Sequence, residues 1–504
     1  MKERFGNINS RKWTRIILVS VFFLILGCSL AGEKVAKDNG IGWDGEIYLN
    51  TIQHFTELIL THGYDRYAIQ RIMPWGLVNI VFQICHIEAT PHNALIAGGV
   101  LNILALALAI FYFFRISSLK QWKQSTEVIA FASLFYSYAL LKIPGYYILL
   151  SDTFGFLWGI MMLYYFLCKK RWALIFLAVL GSVNWPVALL CGLVLAFFPT
   201  NEMRIHSILS REDSWIYNVI LCGLSLSPFL FQIAVYIGTK NHVFIPWGFD
   251  GGPVSMWVFV LSIICVCGYL YYMIRPFKFS ISQIWSECNS IKTWINITCA
   301  VCCFIGVNIL LHCLTNGNDG ALNNRGLVVC VYTSCLADPL CFIESFFVYF
   351  GPVVLLTILL WQKSAQNVAN KGMGYFFVIA LSVFFSIRPE ARVSIMYLPF
   401  IALPIMEYID TYELKRWVPR IYMLLCIILS HCWLPINTDG MEFALSWENF
   451  EHYNSFPAQR YFMFTGHWQS HEMYYICMAI TVIVGIILYI GIRKKWFIIR
   501  EDNR

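Results

Sequence analysis

Long apolar runs, nearly free of charge, alternate along this chain with short polar stretches. A membrane-spanning helix needs roughly 20 apolar residues, within a range of about 17–25. About fourteen segments approach that length, near 16–30, 92–114, 126–141, 152–168, 172–183, 186–199, 215–237, 254–274, 293–312, 338–361, 373–387, 393–409, 421–436 and 473–492. The fifth and sixth are short and flank Asn184-Trp185-Pro186, a pattern that also suits a re-entrant hairpin. Segments 74–88 and 327–337 are apolar as well and suit a partial dip into the membrane. The pattern predicts an all-α polytopic membrane protein of about 12–14 transmembrane helices.

Composition changes this picture little. Of 504 residues, 59% are hydrophobic and 13% charged, against about 25% charged in soluble domains. A disordered chain, a disulfide-stapled secreted module and an ordinary soluble enzyme are excluded. The 18 cysteines lie mostly inside apolar runs, and Cys299, Cys302 and Cys303 lack a second ligand pair at zinc spacing. The net charge of +7 comes from scattered basic residues, so no nucleic acid partner is expected.

The placement of those basic residues carries more information. With the N-terminus inside, the inner segments hold 26 of the 36 Lys and Arg and leave 10 outside. Both termini are therefore expected in the cytoplasm, with a bacterial inner (cytoplasmic) membrane as the simplest setting. The chain then divides into a tail and first span (1–30), a first outer loop (31–91), a multispanning core (92–436), an outer loop (437–472), and a last span with a basic tail (473–504). The inner loops leave no room for a nucleotide-binding domain, and no glycine-rich phosphate motif appears. Ten of the 11 histidines fall on the outer side. Any chemistry is expected there.

In the first outer loop, Ile41-Gly42-Trp43-Asp44-Gly45-Glu46-Ile47-Tyr48 leads into a helical pattern. Tyr48, Ile52, Phe55 and Ile59 recur at spacings of four, three and four, which predicts an amphipathic helix lying on the outer membrane surface. Asp44 sits at its start, where aspartate also serves as an N-cap. The loop continues Gly63-Tyr64-Asp65-Arg66-Tyr67-Ala68-Ile69-Gln70-Arg71. Arginine presents a fixed fork of donors to phosphate oxygens, so Arg66 and Arg71 suit a lipid-linked phosphate or, equally, interfacial anchoring. On one helix they would stand about 140° apart and need not share a ligand.

A second constellation is Arg388-Pro389-Glu390-Ala391-Arg392, between two spans. Three charges near hydrocarbon are costly unless paired or functional. Arg325, in Asn323-Asn324-Arg325-Gly326, is a further anion donor in a turn-rich stretch. His452, Arg460, His467 and His471 populate the last outer loop, which also suits an outer-face polysaccharide polymerase or ligase. A lipid or solute transporter is the other alternative, but no internal repeat is visible and the span centres carry little charge.

Taken together, these residues resemble the GT-C superfamily, multispanning glycosyltransferases that use polyprenyl-phosphate-linked sugars. Its members typically carry an aspartate in the first outer loop, and Trp43-Asp44-Gly45-Glu46-Ile47-Tyr48 resembles the Trp-Asp-x-x-x-Tyr form of some mannosyltransferase relatives. Arg388-Pro389-Glu390-Ala391-Arg392 resembles their His-Lys-Glu-x-Arg motif, with Arg388 and Pro389 replacing His and Lys. The resemblance implies inverting sugar transfer from a polyprenyl-phosphate donor to a lipid, glycan or protein acceptor. It implies Asp44 as the base with Glu46 as fallback. Tyr48, Asp65, Arg66, Arg71, Arg325, Arg388, Glu390 and Arg392 would line the donor site. The motifs assign no cofactor, although a divalent cation is compatible with the carboxylates.

Overall fold

The computed structural model describes residues 2–198, 215–239, 253–277, 290–318, 324–436 and 471–501. Within these the chain is helical, apart from one two-stranded antiparallel ribbon that pairs Tyr412–Leu414 with Ile498–Glu501. The all-α polytopic expectation is met at that level. The expected number of spans is not. Six described helices are long and apolar enough to cross a membrane: Ser10–Ala31, Pro91–Lys120, Met256–Ile274, Ile291–Cys313, Ala391–Asp410 and Met473–Arg493. Counting each sharply bent helix pair as one span raises this to nine.

The shortfall has a physical cause. Apolar runs read as spans from hydropathy are, in several places, segments walled in by protein. Every residue from Thr126 to Leu163 is buried, and the two helices within 124–146 meet at a 69° bend. Cys341–Phe350 and Val353–Ala369 meet at 115° across Gly351-Pro352, where Gly351 has φ +79° and the proline cannot continue the first helix. Broken helices at membrane depth are tolerated where protein surrounds them. By contrast, only 11% of the apolar window of Ile291–Cys313 is buried, the exposure expected of a helix in contact with lipid.

Arg171–Gly181 and Ala188–Phe197 form the expected hairpin around Asn184-Trp185-Pro186. Each is roughly 16 Å long, about half the hydrocarbon core. Small residues bring the arms together: a Cβ at Gly192 would meet the Ala178 Cβ at 2.6 Å.

The first loop is a folded layer. The helix Trp43–Leu60 forms as its spacing predicts, but Tyr48 and Ile52 are buried against protein, not lipid. Its neighbour is the helix Met73–Cys85, whose Asn79 amide donates to the Ile52 carbonyl at 2.7 Å. Burying each such apolar side chain is worth about 1.5–3 kcal/mol. The apolar face left exposed belongs to that second helix, which buries Trp75, Val78 and Phe82 and exposes Leu77, Val81 and Ile84.

Both chain ends lie at the same end of the bundle. Arg15 on the first helix donates to Glu127 at 2.7 Å, Lys123 donates to the Tyr412 carbonyl at 3.1 Å, and Tyr412 pairs with Glu501. At the other end the first helix finishes near Ser29, which donates to the Lys142 carbonyl at 3.0 Å. The first-loop layer sits there.

Candidate functional site

Two glycines place Asp44. Gly42 caps the helix Trp43–Leu60 with φ +73°, and a Cβ there would overlap the Tyr147 ring. The Gly45 N–H donates to the Tyr147 hydroxyl at 3.3 Å. The chain thus wraps one buried tyrosine and turns the Asp44 carboxylate inward. Asp44 is not the N-cap, since that position belongs to Gly42. Instead its Oδ2 accepts from Arg392 Nη2 at 2.8 Å.

Arg392 is the hub. Its Nε donates to Glu390 Oε1 at 3.0 Å, and its Nη1 stands 3.9 Å from Asp152 Oδ1. Asp152, in the first turn of the helix Asp152–Leu167, accepts from the Tyr349 hydroxyl at 3.0 Å and is 2% exposed. That helix is held tightly against Ala391–Tyr397, because a Cβ at Gly159 would overlap the Met396 carbonyl oxygen. Glu390 also bridges to Arg388, so one carboxylate spaces the two arginines. Arg388 and Arg392 share no helical turn; a bend at 388–389 leads through Glu390 into a 3-10 segment.

These groups line a cavity of about 170 Å³, several times the roughly 30 Å³ share of one liquid water. Asp44, Tyr48, Arg66, Arg71, Arg388, Glu390 and Arg392, all expected at the site, meet there. Arg66 and Arg71 reach it together because the short helix Arg66–Ile69 ends between them. Arg66 is also tied by its backbone, its N–H donating to the Asn318 carbonyl at 3.0 Å. The Arg71 guanidinium lies 3.8 Å from the Tyr67 ring centroid and donates to the Tyr67 carbonyl at 2.8 Å. It has no carboxylate partner among the described residues. Arg388 is 5% exposed, and its Nε is buried without a hydrogen bond. Burial pushes the Tyr67 phenol above its ordinary range, so it remains a neutral donor.

Two of the expected residues, Glu46 and Asp65, do not line the cavity. Glu46 is solvent-exposed and pairs with Lys37, away from the cavity, so it is no substitute base. Asp65 is a helix cap whose Oδ1 accepts from the Ala68 N–H at 2.6 Å. Arg325 stands in the helix Asn324–Ser334, but its side chain lies outside the described residues, as do His452, Arg460 and His467. His471 pairs with Asp338 at 3.1 Å and does not line the cavity.

Sequence reasoning missed Asp152, Tyr67, Gln70 and Trp185, all of which line the cavity. Asp152 carried a signal: a lone carboxylate at the mouth of an apolar run is costly unless partnered. Trp185 belongs to the Asn184-Trp185-Pro186 break, read only as a turn. A divalent cation does not fit well, because Asp44, Asp152 and Glu390 converge on a guanidinium. No group of three metal-type ligands occurs among the described residues. No family model, curated protein or solved structure matches this chain.

Proposed function

We propose that the protein is an integral membrane glycosyltransferase that takes a sugar from a polyprenyl-phosphate carrier. The observation that carries this reading is the meeting of Asp44 and Asp152 on Arg392, beside Arg71 and a buried Arg388 Nε with donor capacity left over. Sugar transfer from a phospholipid needs those two functions side by side. A carboxylate must take the acceptor proton, and cations must hold the leaving phosphate.

In this mechanism the acceptor hydroxyl oxygen attacks the anomeric carbon as the bond from that carbon to the phosphate oxygen breaks. The hydroxyl proton passes to Asp44, and the polyprenyl phosphate departs with its negative charge held by Arg71 and Arg388. Arg392 orients Asp44 and keeps it beside Asp152, while Glu390 spaces the arginines. Bidentate arginine suits a phosphate better than lysine does. The charge arithmetic also allows an anion: four arginines against three carboxylates line the cavity, a surplus of one.

The test is incubation of the purified protein with a panel of polyprenyl-phosphate sugars and a simple hydroxyl acceptor. One donor should yield free polyprenyl phosphate, and Arg388→Ala should weaken binding of that donor. Failure of every donor both to bind and to react would sink the proposal.

A further inference from the structure

We propose a second binding site, at the opposite end of the bundle, for an anionic phospholipid. It does not rest on the transferase reading. The helices Val353–Ala369, Leu398–Asp410, Val418–Leu429 and His471–Arg493 surround a cavity of about 230 Å³. Its walls are apolar, including Leu356, Leu360, Ile421 and Leu488. The ribbon of Tyr412–Leu414 and Ile498–Glu501 forms its floor, fastened by the Lys415 N–H donating to the Phe497 carbonyl at 3.0 Å.

The position is that of a membrane surface. From Arg392 to Leu398 the 3-10 segment rises about 12 Å, and from Leu398 to Ile409 the helix rises about 16 Å. The sum, about 28 Å, approaches the roughly 30 Å thickness of a hydrocarbon core. A cavity here therefore opens at the leaflet opposite Arg392. Trp417 and Trp496 are half exposed at this end, as interfacial aromatics are.

The rim is cationic. Lys363 and Lys495 both border the cavity and are exposed. Nearby, Lys120 pairs with Glu407 at 2.6 Å, and Lys371 pairs with the same carboxylate. Lys363 instead stands 5.9 Å from the Tyr408 ring centroid, with no carboxylate partner among the described residues. Apolar walls take an acyl chain and the lysine rim takes the phosphate, a combination that favours an anionic headgroup over a zwitterionic one. A soluble phosphate would leave the walls unfilled. The bound lipid would brace the last helix against Val353–Ala369.

Native mass spectrometry of the full chain, released from bicelles of phosphatidylglycerol or phosphatidylcholine with identical acyl chains, tests this. One phosphatidylglycerol should stay bound per chain, and phosphatidylcholine should be lost. Replacing both lysines (K363Q with K495Q) alters only exposed side chains and should weaken retention by roughly 25-fold, about fivefold per lysine. Leu360→Trp should exclude the lipid with both lysines present, and Leu488→Phe serves the same purpose if the tryptophan variant fails to fold. Equal retention of the two lipids would identify ordinary annular lipid and overturn the proposal. So would undiminished retention in the lysine double variant or in a folded cavity-filling variant.

Discussion

Asp44 and Glu46 stand two residues apart on one helical turn, yet only Asp44 faces the cavity. The difference lies in their partners: Arg392 draws Asp44 inward, while Lys37 holds Glu46 at the surface. Asp44→Asn keeps an acceptor for Arg392 and removes the proton acceptor. The variant should fold and bind donor normally, yet lose about 10²–10⁴-fold in transfer rate, as loss of a general base does. Glu46→Gln should change the rate less than about twofold, since surface changes away from a site are nearly neutral. Near wild-type transfer by Asp44→Asn would shift the search to Asp152. Arg392→Ala is expected to behave differently again. It leaves Asp44, Asp152 and Glu390 without their shared cation, and breaking a buried pair costs about 3–5 kcal/mol. Thermal unfolding in detergent should then drop sharply, whereas Arg388→Lys should leave stability close to wild type and reduce donor affinity.

At the scale of elements, the site depends on close backbone approaches. The 3-10 segment Ala391–Tyr397 carries Arg392, the helix Asp152–Leu167 carries Asp152, and Gly159 is the contact that lets them touch. Gly159→Ala inserts a Cβ against a backbone carbonyl that has no side chain to rotate away. Overpacking of this kind costs about 1–3 kcal/mol. A lowered unfolding temperature and lowered activity should appear together, because the same displacement separates Asp152 from Arg392. Gly268→Ala provides the comparison: a Cβ there meets nothing within 4 Å, and stability should hold or rise slightly. Equal effects at the two glycines would show that the approach at Gly159 is not what aligns the site. The predicted surface helix Trp43–Leu60 teaches a related point. Its periodicity was legible, but periodicity states that one face is apolar and not what covers it.

For the whole molecule, the two chain ends and the two-stranded ribbon share one end of the bundle, and the carboxylate–arginine cavity occupies the other. Glu57 is exposed on the cavity side and Arg416 on the ribbon side. With native cysteines removed, a cysteine at position 57 should react with an impermeant thiol reagent only from outside intact cells. One at position 416 should react only after the membrane is opened. Labelling of both from the same face would overturn the arrangement, and reversed labelling would invert the orientation expected from the basic residues. The smaller number of spanning helices belongs to this scale too. Hydropathy counts apolar residues without distinguishing lipid from protein as their surroundings, so the wholly buried stretch from Thr126 to Leu163 reads as membrane-facing when it is interior.

By itself the sequence determined the class of molecule, the helical content, the first-loop helix and most of the charged groups that line the cavity. These follow from local properties: apolar excess, periodicity, and the cost of placing charge near hydrocarbon. It could not pair Asp44 with Arg392, which lie 348 residues apart, nor show that Glu46, its fallback for Asp44, is held at the surface by Lys37. It gave Asp65 the same standing as Arg66, although one caps a short helix and the other borders the cavity. It passed over Asp152, whose role exists only because a glycine brings its helix against the segment carrying Arg392. Tertiary structure decided these points because electrostatic pairing and burial depend on distance in space, and a charged side chain acquires its role from what folding sets beside it.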